Sequence, residues 1–145
     1  MDFRKPKQSS RNYKKYREEN AAKKRGCVFC KINEEKSSII DEFKWFRIIK
    51  NIFPYDVWDG YEVSDHLMIV PKQHTETIGD FSKEELQEYV NLLAKYEKMG
   101  YSIYARAPQN KRKTVPHEHT HLIMLNYDKP VKWLFNVKSK ILWYK

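Results

Sequence analysis

Hydrophobic positions divide the chain into short strands around one long helix. Runs rich in β-branched and aromatic residues predict strands at about 38–40, 45–49, 66–70, 101–105 and 117–125. Between residues 82 and 99 the apolar residues instead recur at spacings of three and four, on Leu86, Tyr89, Val90, Leu93 and Tyr96. This order of elements predicts an α+β domain, in which an antiparallel sheet carries one main helix on a face.

Capping residues mark both ends of the predicted helix. Ser82 and Glu85, three residues apart, form a capping box, and Gly100 suits the left-handed position that ends a helix. The segment 51–65 contains Pro54 and the pair Asp59-Gly60. It therefore predicts a long connection or a hairpin between two strands.

Composition restricts where the protein acts. No apolar run approaches the roughly 20 residues of a membrane span, and the first residues lack the apolar stretch of a secretory signal. We therefore expect a cytoplasmic protein without a membrane partner. Its two cysteines, Cys27 and Cys30, lie too close together in the sequence for a disulfide to connect distant parts of the fold. They therefore favour a metal-binding or redox pair over a disulfide framework.

The positive charge is concentrated at one end of the chain. Residues 1–25 hold ten lysines and arginines against three acidic residues, a net +7 of the total +9. This pattern predicts a basic N-terminal arm, 1–25, ahead of a domain at 26–145. Such arms often bind nucleic acid through phosphate contacts, although a solubilising tail would have the same composition.

Three histidines alternate within five residues: His117, His119 and His121. Alternate side chains of a strand share a face, so a strand here would align the three imidazoles. Such a row fills a core poorly, because each ring carries two polar nitrogens that need partners. The row therefore favours a metal site, a phosphate site or a nucleophile over a solvated surface cluster.

Four segments together resemble the histidine-triad (HIT) superfamily. Residues 114–123 are similar to its triad signature, and 27–32, 51–54 and 66–74 are similar to segments that precede the triad, in the family's order. The resemblance implies an α+β fold, usually dimeric, that binds nucleotides or dinucleotides and breaks or exchanges a bond at the α-phosphorus. A homodimer and a nucleotide substrate are therefore expected.

The resemblance also assigns roles to individual residues. It makes His119 a nucleophile that forms a nucleotidyl-histidine, with its other ring nitrogen held by a backbone carbonyl. It gives His121 and Thr114 supporting catalytic roles, and it places Asn51 at the ribose. Further phosphate contacts are expected from two basic residues, Lys113 and Arg106.

Some positions depart from the family pattern. Arg106 stands where many members carry asparagine, and Lys113 stands where many carry glutamine. Glu118 and Thr120 replace the usual apolar residues between the histidines, which predicts a wetter strand face or one covered by another element. The base would need an apolar slot, for which the candidates are Phe29, Ile32, Phe46 and Ile48.

Cys27 and Cys30 supply half of a tetrahedral zinc site. In some members of the superfamily the equivalents of His74 and His117 complete a structural zinc, and the same four ligands are present here. His66 is a competing third ligand, and a reduced cysteine pair is the alternative to a metal. We therefore expect a structural zinc on Cys27, Cys30, His74 and His117.

Three functions remain open on the sequence. The first is a nucleotide hydrolase or nucleotidyl transferase that acts through His119. The second is a nucleic-acid-associated protein that binds or processes adenylylated or capped ends with help from the basic arm. The third is a nucleotide-binding module without turnover.

Overall fold

The structure is a computed structural model that describes residues 14–15, 18–19, 26–32, 38–131, 134–137 and 140–143. The long helix is α1 (Lys83–Lys98), which follows a 3₁₀ turn at Ile78–Asp80. The strands are β1 (Ile39–Glu42), β2 (Phe46–Lys50), β3 (Val57–Trp58), β4 (Tyr61–Pro71), β5 (Ser102–Ala105), β6 (Thr120–Pro130), β7 (Leu134–Val137) and β8 (Lys140–Trp143).

Six strands form one antiparallel sheet in the order β1-β2-β4-β6-β5, with β3 paired to β4. The central strands β4 and β6 are 11 residues long, and β5 lies at an edge of the sheet. Strands β7 and β8 pair with each other as a separate two-stranded sheet. The prediction of an antiparallel α+β domain with one main helix is confirmed.

Helix α1 begins and ends as its sequence predicts. Ser82 accepts a hydrogen bond from the Glu85 backbone and the Glu85 side chain bonds back, while Gly100 has a φ of 93°. The predicted apolar stripe is partly wrong, because Leu86 and Val90 are 39% and 55% exposed. The face that meets the sheet is centred on Tyr89, Leu92 and Tyr96, so Leu86 and Val90 lie roughly 90–130° around the helix from it.

The two faces of the sheet have different coverings. One face packs under α1, where the buried sheet residues are Phe46, Ile48, Leu67, Ile69 and Leu122. On the other face Met68 and Val70 pack with Phe29 of the segment 26–32. Because side chains alternate along a strand, His121 lies on the face away from α1, between Thr120 and Leu122.

The hairpin interpretation of residues 51–65 is correct, and β4 begins at Tyr61 rather than near residue 66. Asp59 and Gly60, with φ of 48° and 84°, form the two-residue turn that joins β3 to β4. The predicted start of the last strand at His117 is wrong, since β6 begins at Thr120. Just before it, the Glu118 backbone N–H donates to Thr75 O at 2.6 Å, so this stretch is bonded to a loop rather than to a strand.

The N-terminal arm lies largely outside the described residues. Residues 14, 15, 18 and 19 are helical, with i,i+4 ion pairs between Lys14 and Glu18 and between Lys15 and Glu19. Among the described residues, no helix has the length and apolar character required to cross a membrane.

Candidate active site and metal centre

His119 is held by its own backbone. Its Nδ1 lies 2.9 Å from the His117 carbonyl oxygen, to which it donates a hydrogen bond. A neutral imidazole carries one N–H, so this bond leaves the lone pair on Nε2. The ring is 7% exposed and packs against Phe29, with 5.2 Å between ring centroids. Burial and the carbonyl therefore fix both the orientation and the tautomer of His119.

His121 joins a second hydrogen-bonded group. Its ring centroid lies 5.1 Å from that of His119. Its Nδ1 is 3.0 Å from His66 Nε2, and its Nε2 is 3.0 Å from Arg106 Nη1. Arg106 also donates to the Tyr55 hydroxyl at 2.7 Å. The β2–β3 connection, β4 and the loop after β5 thus all converge on this imidazole.

Cys27, Cys30, His74 and His117 form a compact cluster, with one ligand atom from each within 4.8 Å of the others. His117 Nδ1 lies 3.3 Å and 3.5 Å from the two cysteine sulfurs, and His74 Nδ1 lies 3.4 Å from Cys30 Sγ. In a tetrahedral zinc site, bonds of about 2.3 Å to sulfur and 2.0–2.1 Å to nitrogen place such atoms about 3.5 Å apart. The donor set and its spacing therefore fit a metal ion.

A hydrogen bond to the backbone orients the His117 ring so that it could bind a metal ion in the cluster. Its Nε2–H donates to Pro71 O at 2.9 Å, which leaves the lone pair of Nδ1 facing the cluster. His66, the competing ligand, lies away from the cluster and contacts His121. Partial burial, with the neighbouring Cys27 thiol, raises the pKa of Cys30.

Comparison with known proteins identifies the fold. No protein-family model matches the chain. Among solved structures, the chain is similar to an HIT family hydrolase from Legionella pneumophila Philadelphia 1, with 27% identity and a TM-score of 0.51 over 67% of this chain and 90% of that one. It is also similar to an HIT family hydrolase from Clostridium thermocellum, with 25% identity and a TM-score of 0.54 over 71% of this chain and 92% of that one.

The chain belongs to the histidine-triad superfamily. A histidine triad nucleotide-binding protein from Candida albicans shares the fold, with 21% identity and a TM-score of 0.52 over 79% of this chain and 86% of that one. The triad and the candidate metal-binding cluster of this histidine-triad protein are adjacent, because His117 belongs to both.

Two triad imidazoles are neutral at neutral pH. Burial lowers the pKa of His119 to about 4, and the positive charges of Lys113 and Arg106 lower it further in the same direction. Burial also lowers the pKa of His117 to about 4, with smaller effects from His74, His119 and Lys113. A neutral ring is the form required of both a metal ligand and a nucleophile.

The geometry does not support the expected phosphate contact of Lys113. Its side chain is 2% exposed, and its ammonium is paired with the buried Glu118 carboxylate. It also donates to the backbone oxygens of Glu76 at 2.9 Å and of Arg106 at 3.5 Å. These three acceptors match the three N–H donors of the ammonium. Lys113 therefore holds the loops around the triad together.

The other predicted binding residues occupy different positions around the triad. Asn51 lies beside His66, with Nδ2 3.2 Å from Nε2 of that ring, and its Oδ1 accepts from the Phe53 backbone at 2.9 Å. Thr114 is exposed and precedes His117 by three residues. Arg106 contacts the triad directly, through His121.

The residues between the histidines are covered by another element, one of the two predicted alternatives. Thr120 bonds to the Tyr89 hydroxyl of α1 at 2.7 Å, and Glu118 is 2% exposed against Lys113. Two candidates for a base slot, Phe46 and Ile48, are excluded because they are 0% exposed in the core beneath α1.

Sequence reasoning did not identify Tyr55 as part of the site. It joins the site through the hydrogen bond that its side chain accepts from Arg106 and the one that its backbone donates to His66. Only tertiary contacts show this, since Tyr55 lies in a loop with no motif of its own.

Proposed function

We propose that the protein is a nucleotide hydrolase or nucleotidyl transferase that acts at an α-phosphorus through a covalent intermediate on His119. The observation that carries the proposal is the hydrogen bond from His119 Nδ1 to His117 O, because it leaves a neutral Nε2 lone pair beside His121. Two of the similar solved structures are of proteins named as HIT family hydrolases, which supports the same conclusion.

The proposed reaction has two steps. In the first, the Nε2 lone pair of His119 forms a bond to the α-phosphorus while the bond to the leaving group breaks. In the second, water or another acceptor attacks the phosphorus and releases the histidine. His121 and Thr114 stabilise charge on the phosphate, Asn51 binds the ribose, and Arg106 supplies a fixed positive charge.

We also propose that Cys27, Cys30, His74 and His117 hold one zinc ion with a structural role. The spacing of the four donors and the Pro71 carbonyl that orients His117 support this assignment. A bound zinc would anchor the segment 26–32 to the loop that precedes the triad. Because Phe29 of that segment packs against His119, the metal would also preserve the shape of the site.

We propose a homodimer that uses the edge of the sheet. Strand β5 is an edge strand, and Ile103 on it and Leu86 and Val90 on α1 are exposed apolar residues. We expect the wild-type protein to sediment as a dimer. The Ile103→Lys/Val90→Lys variant should sediment as a monomer. A monomeric wild-type protein would contradict this part.

Substitution of the triad tests the catalytic proposal. His119→Ala is expected to abolish turnover of nucleoside polyphosphates and phosphoramidates while nucleotide binding and the melting temperature stay close to wild type. His121→Ala and Thr114→Ala are expected to cost less, about 10²–10³ in rate, as when one charge-stabilising donor is removed. Binding without turnover by the wild-type protein would instead favour a nucleotide-binding module.

A further inference from the structure

One peptide unit carries the hydrogen bond that orients His119. This peptide joins His117 to Glu118. Its carbonyl oxygen accepts from His119 Nδ1 at 2.9 Å, and its N–H donates to Thr75 O at 2.6 Å. A trans peptide unit is planar, so its N–H and its C=O point in opposite directions. The bond to Thr75 therefore fixes the direction of the carbonyl that holds the imidazole.

The side chain of Glu118 is held as firmly as its backbone. Its carboxylate pairs with the Lys113 ammonium, and the two side chains are 3% and 2% exposed. The same ammonium donates to Glu76 O at 2.9 Å and to Arg106 O at 3.5 Å. Lys113 thus joins Glu118 to the loop that follows β4 and to the loop that follows β5.

Two consecutive carbonyls of the loop after β4 bind the segment that precedes β6. Thr75 O accepts from the Glu118 backbone, and Glu76 O accepts from Lys113 Nζ. Glu118 is therefore tied to this loop twice, once by its own N–H and once through the ammonium. Rotation of the 117–118 peptide would have to break the Thr75 bond and to pull the carboxylate away from a buried cation.

The buried pair of Lys113 and Glu118 suits the fixing of geometry better than it suits the gain of stability. Removing two charges from water is costly, and a well-packed apolar pair of similar volume is often at least as stable. The other carboxylate oxygen, Glu118 Oε1, is buried without a hydrogen-bond partner among the described residues, which adds to the cost. Hydrogen bonds are directional, whereas apolar burial is not. Apolar side chains at both positions would therefore remove the restraint without a comparable loss of stability.

We infer that Lys113 and Glu118 are positioning residues for His119. Their pairing fixes the 117–118 peptide, whose carbonyl keeps the proton of a neutral His119 on Nδ1 and the lone pair on Nε2. The inference rests on the proposed function for the role of His119 as the nucleophile. Both side chains are at most 3% exposed, so they act through the backbone of His117 rather than by touching the substrate.

Two variants separate positioning from stability. Lys113→Met/Glu118→Leu replaces the pair with apolar side chains, so it loses the restraint and should melt at a higher temperature than Glu118→Gln. Glu118→Gln keeps an oxygen that accepts from Lys113, so the restraint should remain, but the buried ammonium loses its counter-ion. A pair with only a structural role would instead make activity follow the Tm in both variants.

The tautomer of His119 is the direct readout. Nitrogen-15 spectra of the full-length protein, labelled at histidine, should show one neutral form of the His119 ring, protonated on Nδ1, and the resonances missing from His119→Ala identify that ring. In Lys113→Met/Glu118→Leu a second form, protonated on Nε2, should appear. Its kcat for nucleoside polyphosphates and phosphoramidates should fall about 10²-fold with KM within about threefold of wild type, as expected for a misplaced reacting group.

Glu118→Gln should keep the single form of the His119 ring and lose less than about tenfold in kcat, because the bond to Lys113 remains. Lys129→Met, which removes an exposed ion pair, is the control and should match wild type in both the tautomer and kcat. Should the apolar double variant not fold, Lys113→Gln/Glu118→Gln takes its place with the same expectation, since it removes both charges and shortens the Lys113 side chain.

The spectra also separate this inference from the proposed function. If the wild-type protein turns over none of these substrates, the proposed function fails, while a second tautomer of His119 in the double variant still supports the positioning role. A single form protonated on Nδ1 in the folded double variant would overturn the inference. Two forms in Glu118→Gln, or a kcat that falls as far in Glu118→Gln as in the double variant, would also overturn it.

Discussion

The backbone oxygen of His117 lies 2.9 Å from His119 Nδ1, while the imidazole of the same His117 faces the Cys27 and Cys30 sulfurs. One residue thus connects the candidate metal centre to the proposed nucleophile. The connection is short and direct, so the state of the metal centre is expected to affect both the stability and the chemistry of the site.

Metal removal should destabilise the protein. A ligand that binds only the folded state at 1,000 times its Kd contributes about 4 kcal/mol, which for a chain of this size is a fall in Tm of roughly 10 °C or more. We expect elemental analysis to give one zinc per chain, and chelation to lower Tm by this amount. The zinc assignment would be contradicted if protein purified without chelator contained no metal and if added chelator left its Tm unchanged.

A Cys30→Ser variant provides a comparison. It removes one donor of the cluster without changing the triad, and it should melt like the chelated wild type and respond little to chelator. The rate of turnover should fall as well, because Phe29 and His117, which position His119, are both in or beside the cluster.

The acid limb of the pH–rate profile should lie well below the usual histidine pKa. With a pKa of about 4, His119 is about 90% neutral at pH 5, whereas an imidazole of ordinary pKa, about 6.5, would be only about 3% neutral. Single-turnover kcat/KM after a brief pH jump should therefore change less than about twofold between pH 7 and pH 5. A roughly 25-fold fall would show that His119 titrates with the ordinary pKa of a histidine, about 6.5.

The same lowered pKa values predict acid destabilisation. Between pH 6.5 and 4 the unfolded chain takes up protons on His117 and His119 that the folded chain does not bind. The free energy of unfolding should therefore fall as the pH decreases through this window. Urea titrations of the metal-free protein at several pH values measure this, and a free energy of unfolding that rises as the pH falls would contradict it.

The buried pair of Lys113 and Glu118 should be sensitive to loss of one partner. Both side chains are at most 3% exposed, so Lys113→Met leaves a buried carboxylate without its counter-ion, at a cost of about 3–5 kcal/mol. The double variant Lys113→Met/Glu118→Leu should recover much of this loss. Denaturant unfolding gives both values.

A surface ion pair is the control for that experiment. Lys129 and Glu62 lie 3.2 Å apart with side chains 60% and 46% exposed, and Lys129→Met should cost less than about 1 kcal/mol. Equal costs for Lys113→Met and Lys129→Met would show that the Lys113–Glu118 pair is not buried in solution.

Residues close together in the sequence predict most of the helix and strand positions. They predict far fewer of the contacts in the candidate active site. Ser82, Glu85 and Gly100 act within a few residues of themselves, and they mark the ends of α1 correctly. The spacing of apolar residues predicted the position of α1 correctly. It did not predict which face of the helix packs on the sheet, since Leu92 rather than Val90 is buried there.

Contacts between distant residues explain what sequence reasoning missed. Lys113 looked suited to phosphate from its position before the triad, but the buried Glu118 carboxylate binds its ammonium. Similarly, the link from Tyr55 through His66 to His121 joins residues up to 66 positions apart, which no periodicity reveals.

The basic arm should contribute nucleic-acid affinity and nothing to the chemistry. Replacing the ten lysines and arginines of residues 1–25 with glutamine should leave turnover of small nucleotides within twofold of wild type. It should also weaken binding of a single-stranded RNA and flatten its salt dependence, by about 0.7 in the log–log slope for each phosphate that the arm no longer neutralises. Unchanged RNA binding would identify the arm as a solubilising tail.

Trapping the covalent intermediate tests whether His119 is the nucleophile. A nucleotide labelled at its α-phosphorus is mixed with excess enzyme, quenched rapidly in alkali, and the protein is digested for peptide mapping. We expect an acid-labile nucleotidyl adduct on His119 that is absent from His119→Ala and still forms, more slowly, in His121→Ala. No adduct under single-turnover conditions, together with activity that survives in His119→Ala, would contradict the assignment of His119 as the nucleophile.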